Sequence, residues 1–268
     1  MKRLLIQIFF FILQNPLLKN FVDSVIYQGR IKMVCTPGLN CYSCPAAVMS
    51  CPIGAMQLFF AGVRHSISLF ITGFLISTGV AFGRFICGYV CPMGLIQDLI
   101  YKIKVPKKLV RLRILRYVKY IVLIVFVVLL PMLMLHELSR WGEPWFCKYI
   151  CPSGTIFGAI PLLAVNSYLR DFAGTLLIVK LVIAGCLLLI SLFIYRPFCR
   201  VICPLGAIYA LFNKIAFLKM SCDKEKCTSR GKCAQVCHIM IEPSKQPNSP
   251  ECVRCGNCKK ACQVKALR

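Results

Sequence analysis

The chain has 268 residues, of which 58% are hydrophobic, and its mean hydropathy is +0.72. This composition is too apolar for one soluble domain, whereas the residues after position 215 are distinctly more polar. The formal net charge is +24, and eighteen of the nineteen cysteines lie in short clusters. We therefore predict a membrane domain over residues 1–215 and a small soluble domain over residues 216–268.

Four apolar runs are candidate membrane spans, since a helix needs roughly 20 residues to cross the hydrocarbon core. The first run is interrupted by Asn15, Pro16 and Lys19, so it either spans at a kink or lies in the interface. No small-residue cleavage site follows it, and we expect it to be retained. The four runs are Leu4–Phe21, Ser66–Phe82, Leu115–Leu135 and Ala173–Tyr195.

The distribution of charge predicts the topology. Between Lys102 and Lys119 there are eight Lys or Arg residues and no acidic residue, whereas the stretch from His136 to Asp171 mixes both signs evenly. By the positive-inside rule the first stretch is cytoplasmic and the second is outside. The basic tail from Lys214 onward is then also inside. We expect a multi-pass protein of a prokaryotic cytoplasmic membrane with its C-terminal domain in the cytoplasm.

One cysteine motif, Cys-x3-Cys-Pro-x-Gly, occurs three times. Proline is favoured at the first position of a helix, so the motif predicts a helix that starts directly after its second cysteine. The thiolate would then lie at the positive end of that helix, where free backbone N–H groups stabilise an anion. Each motif supplies two ligands, and a [4Fe-4S] cluster needs four. The cysteine pairs are Cys87 and Cys91, Cys147 and Cys151, and Cys199 and Cys203.

An internal repeat relates two of these motifs. The segments 84–103 and 196–215 share, at an offset of 112, an arginine, both cysteines, the proline, the glycine and four later residues. Such halves would be parallel repeats about an axis along the membrane normal, so motifs at one depth meet near that axis. The repeat predicts one cytoplasmic-side cluster held by Cys87, Cys91, Cys199 and Cys203. Arg84 and Arg196 would either offset the charge of this cluster or anchor the helices at the interface.

The outer side offers six cysteines for four ligand places. Cys147 and Cys151 face an irregular N-terminal group that contains Cys35, Cys41, Cys44 and Cys51. We favour Cys44, Cys51, Cys147 and Cys151 as the outer set, with Cys35, Cys41, Cys44 and Cys51 as the alternative. Cys186 stands alone in an apolar run and is expected to be a packing residue.

The tail carries two further cysteine motifs. Cys252-x2-Cys255-x2-Cys258-x3-Cys262 has the bacterial ferredoxin spacing, in which the fourth cysteine binds the other cluster. Crossed ligation then predicts one cluster on Cys222, Cys227, Cys233 and Cys262, and another on Cys237, Cys252, Cys255 and Cys258. His238 and Gln263 replace the usual prolines, and His238 is expected to be a neighbour of the cluster rather than a ligand.

Iron–sulfur clusters are favoured over the alternatives for these cysteines. Disulfides are disfavoured in a cytosolic tail, and zinc, which also takes four thiolates, does not explain the ferredoxin spacing. We predict four [4Fe-4S] clusters, two in the membrane domain and two in the tail. Each carries about two negative charges with its thiolates, so four would cancel about eight positive charges. We therefore exclude nucleic acid as a partner and expect the remaining basic loop to contact anionic membrane lipid.

At these motifs the chain resembles the NapH-type membrane iron–sulfur proteins. The resemblance rests on segments 84–98 and 196–206 and on the tail from Cys222 to Cys262. It implies a polytopic membrane domain followed by a bacterial ferredoxin-like domain. With the apolar runs and the internal repeat, we expect an all-α membrane domain of about four transmembrane helices in two parallel repeats and a small α+β ferredoxin-like domain. Related domains occur in quinol-oxidising subunits, in regulators of nitrous oxide respiration and in oxidase-maturation proteins. The segment from Cys35 to Cys51 goes beyond the two-motif minimum of that family.

The functional hypothesis is electron transfer between a membrane-side donor or acceptor and a cytosolic partner, as a subunit of an oxidoreductase complex. No catalytic residue is assigned. The expected partners are other redox subunits, with a quinone as a further candidate near the ionisable residues of the outer half. The alternative is an assembly or regulatory protein for maturation of a respiratory enzyme. The candidate quinone residues are Arg64, His65, His136, Glu137 and Lys180.

Overall fold

The structure, a computed structural model, describes residues 2–62, 68–107, 109–110, 112, 114–134, 142–171, 174–228 and 230–267. Within these residues the regular structure is helical, and extended pairing is limited to two isolated bridges, Cys35 with Ser50 and Cys222 with Leu267. Arg64, His65, His136 and Glu137, predicted to lie near a quinone, fall outside the described residues.

The helices are labelled in chain order. The membrane domain contains α1 Lys2–Gln14, α2 Pro52–Ala61, α3 Ser68–Phe82, α4 Phe85–Tyr89, α5 Pro92–Tyr101, α6 Leu115–Leu133, α7 Phe146–Ile150, α8 Pro152–Val165, α9 Thr175–Phe193, α10 Pro197–Val201 and α11 Pro204–Phe212. The tail contains α12 Lys232–Gln235 and α13 Asn257–Ala261. The middle of α6, Leu123–Leu129, and all of α7 are wound as π-helix.

Two helices, α6 and α9, are each 19 residues long and apolar enough to cross a membrane. The apolar helices α1 and α3 are shorter. Helix α1 ends at Gln14, directly before the Asn15–Pro16 step that interrupts the apolar run, because the residue before a proline disfavours helical backbone angles. The arrangement of four spans stays a prediction.

Four helices begin directly after a cysteine. Cys51, Cys91, Cys151 and Cys203 cap α2, α5, α8 and α11 with φ between −74° and −64° and ψ between 114° and 127°, and a proline follows each of them. The glycine of the motif is then the third helical residue, and the Gly206 N–H donates to Cys203 Sγ at 3.4 Å. The predicted helix starts are confirmed, and they place each sulfur at a helix N-terminus.

The two halves of the repeat meet through equivalent arginines. Arg84 Nη2 donates to the carbonyl oxygen of Cys199 at 2.9 Å, and Arg196 Nη1 donates to that of Cys87 at 2.5 Å. Each arginine therefore reaches from its own half to the first cysteine of the other half. This exchange sets α4 and α5 beside α10 and α11, as the repeat predicts.

The tail packs directly on these motifs. Asn213 Nδ2 donates to the carbonyl oxygens of Ser249 and Cys252 at 2.6 and 3.2 Å, and Arg254 Nη1 donates to that of Phe82 at 2.9 Å. Among the described tail residues the regular structure consists of α12, α13 and the bridge of Cys222 with Leu267. The α+β ferredoxin-like fold of this domain stays a prediction.

We predict that Gly88→Ala loosens the docking of the tail. A Cβ at Gly88 would lie 2.4 Å from the carbonyl oxygen of Val253, so either the motif or the tail must shift. Overpacking of this kind costs about 1–3 kcal/mol. The midpoint of thermal unfolding of the full chain should fall, and limited proteolysis should release the tail faster.

Gly185→Ala is the matched control, because a Cβ at Gly185 within α9 meets nothing within 4 Å. It should leave both measurements unchanged or slightly improved, since alanine is the better helix former. Equal protease resistance of the Gly88→Ala variant and the unchanged protein would contradict the docked arrangement.

Candidate iron–sulfur centres

The inner group consists of Cys87, Cys91, Cys199 and Cys203, and all four side chains are buried. Their thiols influence one another electrostatically across the two halves of the repeat. Burial, followed by the neighbouring Cys91, raises the pKa of the Cys199 thiol to about 11. Because metal ligation requires thiolates, binding of a cluster here must displace protons. The mutual interaction of the four buried thiols shows that the structure brings the predicted inner set together.

Two buried arginines surround the inner group. Arg84 and Arg196 are 0% and 1% exposed, so each needs a counter-charge. Arg196 forms a two-point pair with Asp98, with Nε 2.8 Å from Oδ1 and Nη2 2.5 Å from Oδ2. Their position beside the cysteines favours the charge-offsetting role over the interfacial anchor.

The counter-charge of Arg84 comes from the tail. Arg84 Nη1 lies 3.0 Å from Glu251 Oε2, and the Nζ of the buried Lys119 lies 2.6 Å from Glu251 Oε1. The repeat places Ala210 where the first half has Asp98, so the second half lacks its own acid. The sequence analysis did not identify Glu251. The absence of an acid at Ala210 could have indicated that the counter-charge of Arg84 comes from another part of the chain.

Neutral donors contact the inner sulfurs as well. The Leu39 N–H lies 3.4 Å from Cys91 Sγ, and Gln97 Nε2 lies 3.1 Å from Cys199 Sγ. Hydrogen bonds to the sulfur ligands are one of the factors that set cluster potentials. The N-terminal segment that carries Leu39 therefore takes part in the inner site, which sequence reasoning assigned to the outer side alone.

The outer group differs from the favoured set at one position. A cavity of about 290 Å³ is lined by Cys41, Cys51, Cys147 and Cys151. Cys44 points away from it, and its thiol donates to the carbonyl oxygen of Phe157 at 3.2 Å. The turn in which the Cys44 N–H donates to the carbonyl oxygen of Cys41 separates the two side chains. Cys41, rather than Cys44, therefore lines the outer cavity together with the other three cysteines, and the ligand set stays a prediction.

The alternative outer set is not brought together either. Cys35 is buried beside Ser50 in an isolated bridge, and like Cys44 it does not line the outer cavity. The side chains that do line it include Lys148 and Lys180, so the one described candidate for the quinone site faces the outer sulfurs. Lys180 supplies positive charge near the Cys41 and Cys147 thiols, whereas Lys148 Nζ lies 2.6 Å from both carboxylate oxygens of Glu143.

Glycines keep space open beside the outer sulfurs. A Cβ at Gly154 would lie 3.2 Å from Cys41 Sγ, and one at Gly54 would lie 3.8 Å from Cys147 Sγ. Gln57 Nε2 also lies 3.1 Å from Cys147 Sγ, which matches the Gln97 contact of the inner group. The outer site is thus built like the inner one, from two helix N-termini and one buried glutamine.

The tail cysteines form two crossed groups. Cys237, Cys252, Cys255 and Cys258 line one cavity, while Cys227, Cys233 and Cys262 line another. Burial, followed by the neighbouring thiols of Cys227, Cys233 and Cys262, raises the pKa of the Cys222 thiol. Cys222 therefore belongs to the second group. These are the two predicted sets.

Two single residues remain from the sequence analysis. The His238 ring packs on Tyr101 and Tyr195, with ring centroids 5.4 and 5.1 Å apart. His238 lines the same cavity as the tail cysteine Cys255, so it lies beside that group as predicted. Cys186 is exposed on α9, so the expectation that it packs inside the protein is wrong. An apolar run does not distinguish a helix buried in a protein core from a helix that faces lipid, because both are hydrophobic on all sides.

The lining of these sites suits an iron–sulfur cluster. Thiols around a cavity, glycines beside the sulfurs and N–H donors to sulfur are the features that a [4Fe-4S] cluster held by four cysteines requires.

Comparisons with known proteins support iron–sulfur binding by this chain. A family described as "4Fe-4S binding domain" matches residues 63–113, 119–163 and 176–220, which together exceed half of the chain. An uncharacterized protein of Methanocaldococcus jannaschii is 30% identical over 189 residues, 69% of this chain and 71% of the relative. No solved structure shows significant similarity to this chain.

Two relatives carry functional names. The methylamine utilization ferredoxin-type protein MauN of Methylobacillus flagellatus is 26% identical over 69% of this chain and 60% of its own length. The ferredoxin-type protein NapH of Escherichia coli is 28% identical over 30% of this chain and 33% of its own length. The matches support an iron–sulfur, ferredoxin-type family and agree with the sequence resemblance at that level.

We predict that serine substitution distinguishes Cys41 from Cys44. The anaerobically purified protein should contain about sixteen iron atoms per chain if four clusters are bound. Cys41→Ser should lower this to about twelve, because a hydroxyl is a poorer ligand for the cluster than a thiolate. Cys44→Ser, the matched control, should retain about sixteen iron atoms, since its thiol faces Phe157. The reverse pattern would restore the set favoured from sequence.

Proposed function

This chain belongs to the 4Fe-4S binding domain family, and we propose that its four cysteine groups hold [4Fe-4S] clusters that relay electrons across the cytoplasmic membrane. The family match and the ferredoxin-type relatives support electron transfer through iron–sulfur clusters as its function. The proposed electron path connects the outer group to the inner group and the inner group to the tail. The protein would insulate these centres, space them and set their potentials.

The contact between Gly88 and Val253 carries the proposal. Gly88 follows a ligand of the inner group, and Val253 lies between two ligands of a tail group. Their backbones meet so closely that a side chain on Gly88 would overlap the Val253 carbonyl. Arg200, at the equivalent position of the second half, donates to the carbonyl oxygens of Val110 and of Ile239, which follows the tail ligand Cys237 by two residues. Both halves of the repeat therefore support the same tail group.

Buried positive charge suits the proposed clusters. Each bound cluster with four thiolates would supply about two negative charges and a site for one-electron exchange. The protein offsets such charge at the inner group with Arg84 and Arg196, and at the outer group with Lys180. The positive groups and the N-terminal amides stabilise the thiolate form that ligation requires.

Membrane placement rests on the surfaces of α6 and α9. Only 22% and 17% of their apolar windows are buried within the protein, and Ile178 and Val182 on α9 are both 59% exposed. Exposed apolar surface on a helix of this length suits lipid. We propose that α1 and α3 complete four spans, with the basic loop and the tail in the cytoplasm and anionic lipid against the loop.

The proposed partners are other redox subunits on the two sides of the membrane. Ferredoxin-type relatives such as NapH and MauN support a role alongside redox proteins. A quinone near the outer half stays a proposal that only Lys180 among the described candidates supports, through its place beside the outer cavity.

We predict that Cys199→Ser separates the tail from the membrane-side donor. The substitution removes one inner ligand and leaves every tail ligand in place, and a serine hydroxyl is a poorer ligand for iron–sulfur clusters than thiolate. Reduction of the tail clusters by a membrane-side donor should be lost, while dithionite added from the cytosolic side still reduces them. Unchanged electron flow in a variant shown by EPR to lack the inner cluster would contradict the relay.

Sidedness supplies a second test. In cluster-free protein within oriented vesicles, a membrane-impermeant thiol reagent should label Cys41 only from outside and Cys255 only from inside. Mapping of the labelled peptides by mass spectrometry identifies each site, and detergent-solubilised protein, in which both should react, is the control. Labelling of both cysteines from one face would rule out a path across the membrane.

A further inference from the structure

Two glutamines occupy the same place in two cysteine motifs. Gln57 follows Cys51-Pro-Ile-Gly54 at the sixth position after the cysteine, and Gln97 follows Cys91-Pro-Met-Gly94 at the same distance. Both side chains are fully buried. One motif serves the outer group and the other the inner group, so the coincidence is not explained by the repeat that relates the two inner motifs.

Each glutamine reaches across its group to the other motif. Gln57 Nε2 lies 3.1 Å from Cys147 Sγ and 3.3 Å from the carbonyl oxygen of Ile53. Gln97 Nε2 lies 3.1 Å from Cys199 Sγ and 3.2 Å from the carbonyl oxygen of Met93. In both sites the sulfur belongs to the first cysteine of the opposite motif. The two N–H groups of each amide thus bind its own helix and the opposite sulfur.

The opposite motifs carry an aromatic residue at the same position. Phe157 stands six residues after Cys151, and Tyr209 stands six residues after Cys203. The Tyr209 hydroxyl donates its proton to the carbonyl oxygen of Pro37 at 2.9 Å, so this proton is not donated to a sulfur. Each membrane-domain group therefore has one motif with a glutamine and one with an aromatic residue, and receives one side-chain amide.

The orientation of the Gln57 amide follows from its surroundings. The Phe146 N–H donates to Gln57 Oε1 at 2.9 Å, which requires the oxygen on that side and leaves Nε2 facing the sulfur. Gln97 has the same orientation, but no described residue offers a hydrogen-bond partner to its buried Oε1. A reversed Gln97 amide would place its oxygen against a thiolate, which repels it.

We propose that Gln57 and Gln97 raise the reduction potentials of the outer and inner clusters by donating a hydrogen bond to a ligand sulfur. This inference rests on the proposed function. Reduction adds one negative charge to a cluster, so a donor to its sulfur stabilises the reduced form more than the oxidised form. The two side chains act on the potentials through their hydrogen bonds to the ligand sulfurs, and they do not bind iron.

Gln97→Met is the decisive variant, because methionine has a similar length, offers no donor, and removes an oxygen that has no partner among the described residues. We expect the midpoint potential of the inner cluster to fall, with the outer cluster unchanged, in redox titrations followed by EPR. The oxidised-to-reduced ratio at the original midpoint should rise about tenfold, which is about 59 mV for a one-electron couple. At pH values at which the introduced carboxyl is ionised, Gln97→Glu should lower the potential of the inner cluster further than Gln97→Met does. The potential of the Gln97→Glu variant should therefore depend on pH.

Gln57→Met is the reciprocal control. It should lower the potential of the outer cluster alone, although it also leaves the Phe146 N–H without its acceptor. Its unfolding midpoint is therefore measured beside its potential, and a potential shift in the outer cluster with full iron content supports the inference. Shifts of equal size in both clusters, from either variant, would overturn it.

Iron and sulfide content, measured first on the unchanged protein, separates this inference from the proposed function. Absence of the inner cluster from the unchanged protein would refute the proposed function itself. A fully loaded Gln97→Met variant with an unaltered inner potential and EPR spectrum would refute the role of the glutamine and leave the relay intact.

Discussion

Two buried guanidinium groups hold the two halves of the inner site together. Arg84 and Arg196 each cross to the other half and donate to the carbonyl of its first cysteine. Removing one partner of a buried ion pair typically costs about 3–5 kcal/mol, so neither arginine is tolerated without its acid. Asp98 meets this requirement within the membrane domain, whereas Glu251 meets it from the tail. Docking of the tail is therefore coupled electrostatically to the inner cysteine group.

This coupling joins the stability of the fold to its proposed function. The loop that carries Glu251 also carries Cys252 and presents Val253 to Gly88. Neutralisation of Arg84 thus places a tail ligand loop against the inner motif. The contact that satisfies a buried charge is the same contact that brings two candidate redox centres next to each other.

The inner and outer groups share one local design. A cysteine caps a helix, a proline occupies the first turn, a glycine at the third position leaves room, and a glutamine or an aromatic residue follows at the sixth. Each part has a physical reason, since the cap orients the sulfur toward free N–H groups and the glycine avoids crowding. The two groups differ in their positive charge, which comes from two arginines at the inner group and from Lys180 at the outer group.

The sequence by itself determined the helix starts and predicted how the inner and tail cysteines are grouped, because short spacings and the repeat restrict which cysteines can meet. Only the tertiary structure placed Cys41 rather than Cys44 at the outer cavity, since the irregular segment before Cys51 has no periodicity from which a side-chain direction follows. It also decided that Glu251 pairs with Arg84 and that Val253 meets Gly88. These contacts join residues far apart in the chain, and their geometry depends on how the tail folds back, which no local pattern encodes.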